Sequence, residues 1–235
     1  MATHEGSSRS RLGMRLRGGS NKLKSVALVA VAGLLLVPLA AVASHLQKDL
    51  DANLRPVPHS EKADGGSQVR GDVDIEVRGR KVEVEVKAWG LAPKLVHAQH
   101  IHGIAADECP GPETRDDLKD DGLISTLEGA PAYGGIVVSL TTRGDASPDS
   151  GLAVDRFPVA DKRGRIDYER TFWVGKNFPR KVANNIEDFH VVVHGIDTNN
   201  NDVYDFSAGK SDLDPSLPEE ATVPAACGLL RELHH

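Results

Sequence analysis

The chain has 235 residues, 28 Lys and Arg against 34 Asp and Glu, and a formal net charge of -6. Six of the basic groups fall in residues 1–24 and none in 25–43, so the remaining 192 residues hold 22 basic and 33 acidic groups, a net of -11. That acidity argues against nucleic-acid binding, which needs a basic footprint, and 40% apolar content argues against wholesale disorder.

In chain order, residues 25–43 read SVALVAVAGLLLVPLAAVA, uncharged behind a basic flank and ending in Ala41-Val42-Ala43. The pattern predicts a signal peptide over 1–43, with an uncleaved membrane anchor as the alternative. Pro38 and the small-x-small ending favour cleavage. Both readings place the rest of the chain outside the cytoplasm, secreted or tethered to the membrane only through this segment. Residues 44–67, with Pro56, Pro58, Gly65 and Gly66, read as a flexible linker ahead of a domain over 68–235.

From Val69 the apolar alternation is strict. Val69, Gly71, Val73, Ile75 and Val77 share one face, and after Gly79 so do Val82, Val84, Val86 and Ala88. Period two with charges between predicts a half-buried hairpin. Further strands are predicted at 95–102, 135–142, 152–159, 165–174, 188–195 and 225–231, with a short helical turn within 178–186. The expected fold is all-β, an antiparallel barrel or sandwich of about eight strands with long loops at 103–134 and 196–224.

Cys109 and Cys227 are the only cysteines. An even count outside the cell predicts one disulfide, the alternative being two buried thiols. The histidines cluster. His100 and His102, two apart, leave the same face of a predicted strand, and His194 ends another in Val191-Val192-Val193-His194-Gly195. Three neutral imidazoles on adjacent strands suit copper or zinc.

These motifs carry a resemblance. The segment His100-Ile101-His102-Gly103 resembles the copper-binding strand of Cu/Zn superoxide dismutases, and His194 resembles a ligand on a later strand of that family. Ala226-Cys227-Gly228-Leu229-Leu230 resembles the family's last strand, whose Cys pairs with a Cys placed like Cys109. Residues 68–231 are also similar to the CHRD domain of exported actinobacterial proteins. The segments that carry this are Gly90-Leu91-Ala92-Pro93, Glu128-Gly129-Ala130-Pro131-Ala132-Tyr133-Gly134 and Leu152-Ala153-Val154-Asp155-Arg156-Phe157-Pro158. The resemblance implies an eight-stranded Greek-key fold and a copper-type site at His100, His102 and His194. It departs in function: no histidine lies between His102 and His190, where the dismutases keep their bridging and zinc ligands, so no zinc site is expected. Pro224 stands where that family has an anion-guiding Arg.

The two loops are acidic. Asp117, Asp121, Gly122 and Glu128 fit positions one, five, six and twelve of an EF-hand-type loop, although Lys119 breaks position three. In the second loop Asp197, Asn199, Asn201 and Asp205 fit positions one, three, five and nine. Calcium is the expected cation there, and an Asx-rich turn the plain alternative. The functional expectation is an exported, non-catalytic metal-binding or interaction module. The alternative is a copper-only dismutase acting through His100, His102 and His194.

Overall fold

The alternating run at Val69 folds as expected. In the computed structural model, which describes residues 46–103, 106, 108–114 and 120–233, β2 (Arg70–Arg78) pairs antiparallel with β3 (Lys81–Trp89). Val73 faces Val86, Ile75 faces Val84 and Val77 faces Val82, all fully buried. The other face carries charge, including Asp72 opposite Lys87. Gly79 turns the hairpin at φ +63, a left-handed conformation that a side chain resists. The export segment at 1–43 lies outside the described residues, and among those described no helix is long and apolar enough to cross a membrane.

The linker expectation for 44–67 is corrected. Residues Gln47–Pro56 form β1, which pairs with β2 in the register Leu50↔Ile75 and Ala52↔Val73. Leu50, Ala52 and Leu54 are buried against the hairpin, so this stretch is core. The remaining strands are β4 (Gln99–Gly103), β5 (Gly135–Ser139), β6 (Arg165–Trp173), β7 (Phe189–His194), β8 (Pro224–Leu229) and the short β9 (Arg231–Glu232). A second correction concerns 152–159. It holds a 3-10 turn at Val154–Arg156 and a lone bridge from Val159 to Val96, not a strand.

The nine strands of the described residues form one antiparallel sheet in the order β5-β4-β7-β8-β1-β2-β3-β6, with β9 on β1. β1 is the corner. Its body pairs with β2, while Arg55 and Pro56 at its end reach Cys227 and Ala226 of β8. The free edges approach through side chains: the Tyr168 hydroxyl donates to the Thr141 carbonyl at 3.1 Å, and Arg170 Nη1 donates to the same oxygen at 2.6 Å. The sheet therefore curls around a core of mostly valine and isoleucine, joined by Phe172, Phe178 and Phe189. Low aromatic content is met by β-branched residues, which suit strands and pack well on a pleated surface.

The outer face of β4, β7 and β8 is also buried. A second small cluster of Val57, Ile124, Tyr133, Val192 and Cys227 packs there under the long loops. His59 stitches this roof down. Its Nδ1 accepts from the Ile124 amide at 2.8 Å, which fixes the proton on Nε2, and Nε2 donates to the Pro224 carbonyl at 2.8 Å. Because His59→Leu strands both backbone groups, we expect it to cost about 1–3 kcal/mol. Urea unfolding of the variant checks this, and a cost near zero refutes the clamp.

Candidate metal centre

β4 and β7 sit side by side in the sheet with His102 opposite His190 and His100 opposite Val192. Period two sends Ile101, Val191 and Val193 into the barrel core. It sends His100, His102 and His194 to the outer face, where the loops cover them to 3%, 2% and 3% exposure. Two register shifts act at these positions. One falls between Ile101 and His102 in the β4–β5 ladder, the other between Val193 and His194 in the β7–β8 ladder. Such bulges re-aim a side chain. Beneath the cluster, Gly103 leaves room for Phe189, whose ring would lie 1.8 Å from a Cβ placed there.

Each imidazole spends one nitrogen on a backbone carbonyl. His100 Nε2 donates to Gly151 O at 3.0 Å, His102 Nδ1 to Gly134 O at 2.9 Å and His194 Nδ1 to Thr222 O at 2.7 Å. A carbonyl only accepts, so each bond fixes the tautomer and leaves a lone pair on the other nitrogen. Those three atoms, His100 Nδ1, His102 Nε2 and His194 Nε2, are buried and have no hydrogen-bond partner among the described residues. The three side chains bring ligand atoms within 4.8 Å of one another. Orphaned buried polar atoms are costly unless something meets them, and three convergent lone pairs can hold a metal ion.

Electrostatics keep the rings neutral. Burial lowers the His102 pKa to about 3, with repulsion from His194 adding to it. Burial likewise lowers His194 to about 4, against opposing help from the Thr222 carbonyl and Asp212. His100 lies well below the ordinary imidazole value, from burial and then from repulsion by His194 and His102. Neutral imidazole is the ligating form. The carbonyl partners orient the rings as outer-shell groups do in metal sites.

The neighbouring histidines do different work. His97 is buried with Nδ1 2.9 Å from the His194 carbonyl and Nε2 3.0 Å from the Ala92 carbonyl, beside the Tyr204 hydroxyl. It braces the backbone behind His194. His190 faces His102 across the ladder but is not among the three convergent side chains. Tyr133 closes the far side, its ring edge-on to His102 at 4.7 Å between centroids, and Phe157 does the same to His100 at 5.2 Å.

Cys109 and Cys227 form the disulfide, with Cα atoms 5.7 Å apart. The bond indicates an oxidising, extracytoplasmic compartment. It ties the first long loop to β8, where Cys227 lies opposite Val192 in the wall of the histidine cluster.

The acidic loops place their oxygens in turns and caps. Glu128 is the third residue of α1 (Thr126–Tyr133) and completes a capping box. Its carboxylate accepts from the Ser125 amide at 2.8 Å, while the Ser125 hydroxyl accepts from the Glu128 amide at 3.3 Å. The Ser-x-x-Glu spacing was the signal for this. Asp121 accepts from the Leu123 amide, and Asp117 lies outside the described residues. In the second loop Asp197 accepts from the Asn201 and Asp202 amides, and Asp205 accepts from the side-chain amides of Asn199 and Asn201. The buried Glu220 on α3 (Glu219–Thr222) anchors that loop by accepting from the Thr198 and Asp205 amides. No motif in the sequence marks Glu220 for this role.

No protein-family model matches the chain, and no curated protein matches it in sequence.

Proposed function

We propose that the protein is an exported CHRD-type module that holds a copper ion on His100, His102 and His194 without turning over a substrate. The observation that carries this reading is the convergence of three neutral, carbonyl-oriented imidazoles whose second nitrogens meet nothing else among the described residues. An all-nitrogen set of this kind suits copper or zinc rather than a hard cation. The resemblance to the dismutase copper strand favours copper. The same resemblance supports a non-catalytic role, since the bridging histidine and the anion-guiding Arg have no counterpart in this sequence. Bound copper would supply a redox-active Lewis acid; the chain's own residues supply binding, fixed tautomers and exclusion of water.

Titrating the metal-free, full-length protein with copper should give one equivalent bound. His102→Gln should weaken that binding at least about 100-fold, with circular dichroism confirming that the variant folds. Absence of stoichiometric copper binding refutes the reading. Superoxide decay separates the alternative: a copper-loaded rate no better than that of copper in solution excludes a dismutase. Calcium belongs to the proposal as a distinct occupant of the second loop, whose Asp197 carboxylate is held by the Asn201 and Asp202 amides and whose Asp205 carboxylate is held by the Asn199 and Asn201 side chains. Calcium should raise the melting temperature by a few degrees relative to chelator, and superimposed curves remove it.

A further inference from the structure

A cleft of about 320 Å³ opens from the surface onto His100 and His194. Its walls are mainly aliphatic: Ile136 from β5, Leu152 and Val154 from the 3-10 segment, and Leu213, Leu217 and Ala221 from the second long loop. Three of these are exposed enough to form a greasy rim, with Leu152 at 39%, Val154 at 45% and Leu213 at 38%. Leu127, also exposed, lies nearby, its amide donating to Asp212 next to Leu213. Among the described residues Asp149 is the charged side chain of the lining, and no Lys or Arg takes part in it. A larger cavity near Asp64 and Asn200 is mainly polar, and no histidine is among its described lining residues.

The size falls in the range of small-molecule sites, about 300–1,000 Å³. The composition fits them too: apolar walls with a few convergent polar atoms at the floor. Here the polar side chains include His100 and His194, whose carbonyl partners Gly151 and Thr222 also line the cleft. An anion gains nothing from this entrance. It meets aliphatic walls and the Asp149 carboxylate, and Asp212 adds a second negative charge near His194. A neutral molecule of roughly the size of two small rings gains apolar burial along the whole depth.

We infer that this cleft binds a neutral, largely apolar small molecule that presents a single nitrogen or oxygen donor toward His100 and His194. The inference deepens the metal-site reading and rests on it for the contact at the floor, where the donor completes the coordination of a bound ion. The walls do not depend on the ion.

The test uses the full-length protein with labelled Leu and Val methyl groups, metal-free and then loaded with zinc as a diamagnetic substitute. Three probes are titrated: 4-phenylimidazole, imidazole, which has the same donor without the apolar ring, and benzoate, which has the ring but carries charge. The expected result is methyl shifts at Leu152, Val154, Leu213 and Leu217. In the loaded protein 4-phenylimidazole should bind at least tenfold more tightly than either comparison probe. Leu213→Asp, at an exposed position, should remove that advantage and leave copper stoichiometry unchanged. Equal affinities, shifts confined to other methyl groups, or indifference to Leu213→Asp would overturn the inference. So would a dimer that Leu213→Asp dissolves, since the rim would then belong to a second copy. The two readings fail separately. Copper binding without probe shifts removes the cleft ligand, whereas probe shifts without metal binding remove the metal site.

Discussion

Replacing both cysteines by serine should destabilise the protein by about 4–5 kcal/mol, among the largest changes available to it. The bond joins Cys109 to Cys227 across 118 residues, so its loss returns the entropy of a very long loop to the unfolded chain. The damage should also reach the histidine cluster. Cys227 stands opposite Val192, which lies on the strand between His190 and His194. Cys109 restrains the loop that leads to α1, and the residue after that helix, Gly134, supplies the carbonyl that orients His102. Reduction should therefore lower the urea midpoint and weaken metal binding together. A double-serine variant within 1 kcal/mol of the parent would show that the loops hold the site unaided.

The histidine pair was legible because its physics is local. Two residues separated by one position in a strand share a face, so His-x-His already implied convergence. The β2–β3 hairpin was legible for the same reason, with nine positions of uninterrupted alternation on each strand. β1 was not. Only Leu50, Ala52 and Leu54 alternate inward there, one of them a small alanine, and Pro56 with Pro58 looks like linker chemistry. What makes it a strand is the unpaired edge of β2, a long-range fact. The segment 152–159 failed in the opposite sense. Leu152 and Val154 suggested a buried strand, yet they stand exposed at the mouth of the cleft. The outer half of the histidine cluster was invisible as well. Gly151, Gly134 and Thr222 act through backbone carbonyls, 51, 32 and 28 residues from the imidazoles they orient. No side-chain type announces a carbonyl, and no local pattern announces the bulges that turn His102 and His194.

Acid should destabilise the metal-free protein in the range where unfolded histidines gain their protons. His102 and His194 have folded-state pKa values of about 3 and about 4, against about 6.5 for an unfolded histidine. Between those limits the unfolded chain binds protons that the folded chain refuses, so stability falls as pH falls. Above about pH 6.5 both states are neutral at these rings and the effect vanishes. Each ring contributes a slope of up to about 1.4 kcal/mol per pH unit, so these two alone cost about 4 kcal/mol by pH 5. His97 and His100, also lowered by burial, act in the same direction. Asp205 works in a separate window. Asp205, held at about 2 by Ser207 and the Asn201 side chain, loses its contribution only as pH drops through the range below its unfolded value near 3.8. Urea unfolding at pH 7, 6 and 5 in the presence of a chelator should show the loss, and His102→Gln should flatten the slope by roughly 1.4 kcal/mol per pH unit. A stability constant from pH 7 to 5 would mean that the cluster opens to water when it is empty. The lone pairs would then not be held in the buried, neutral state that makes them ligands.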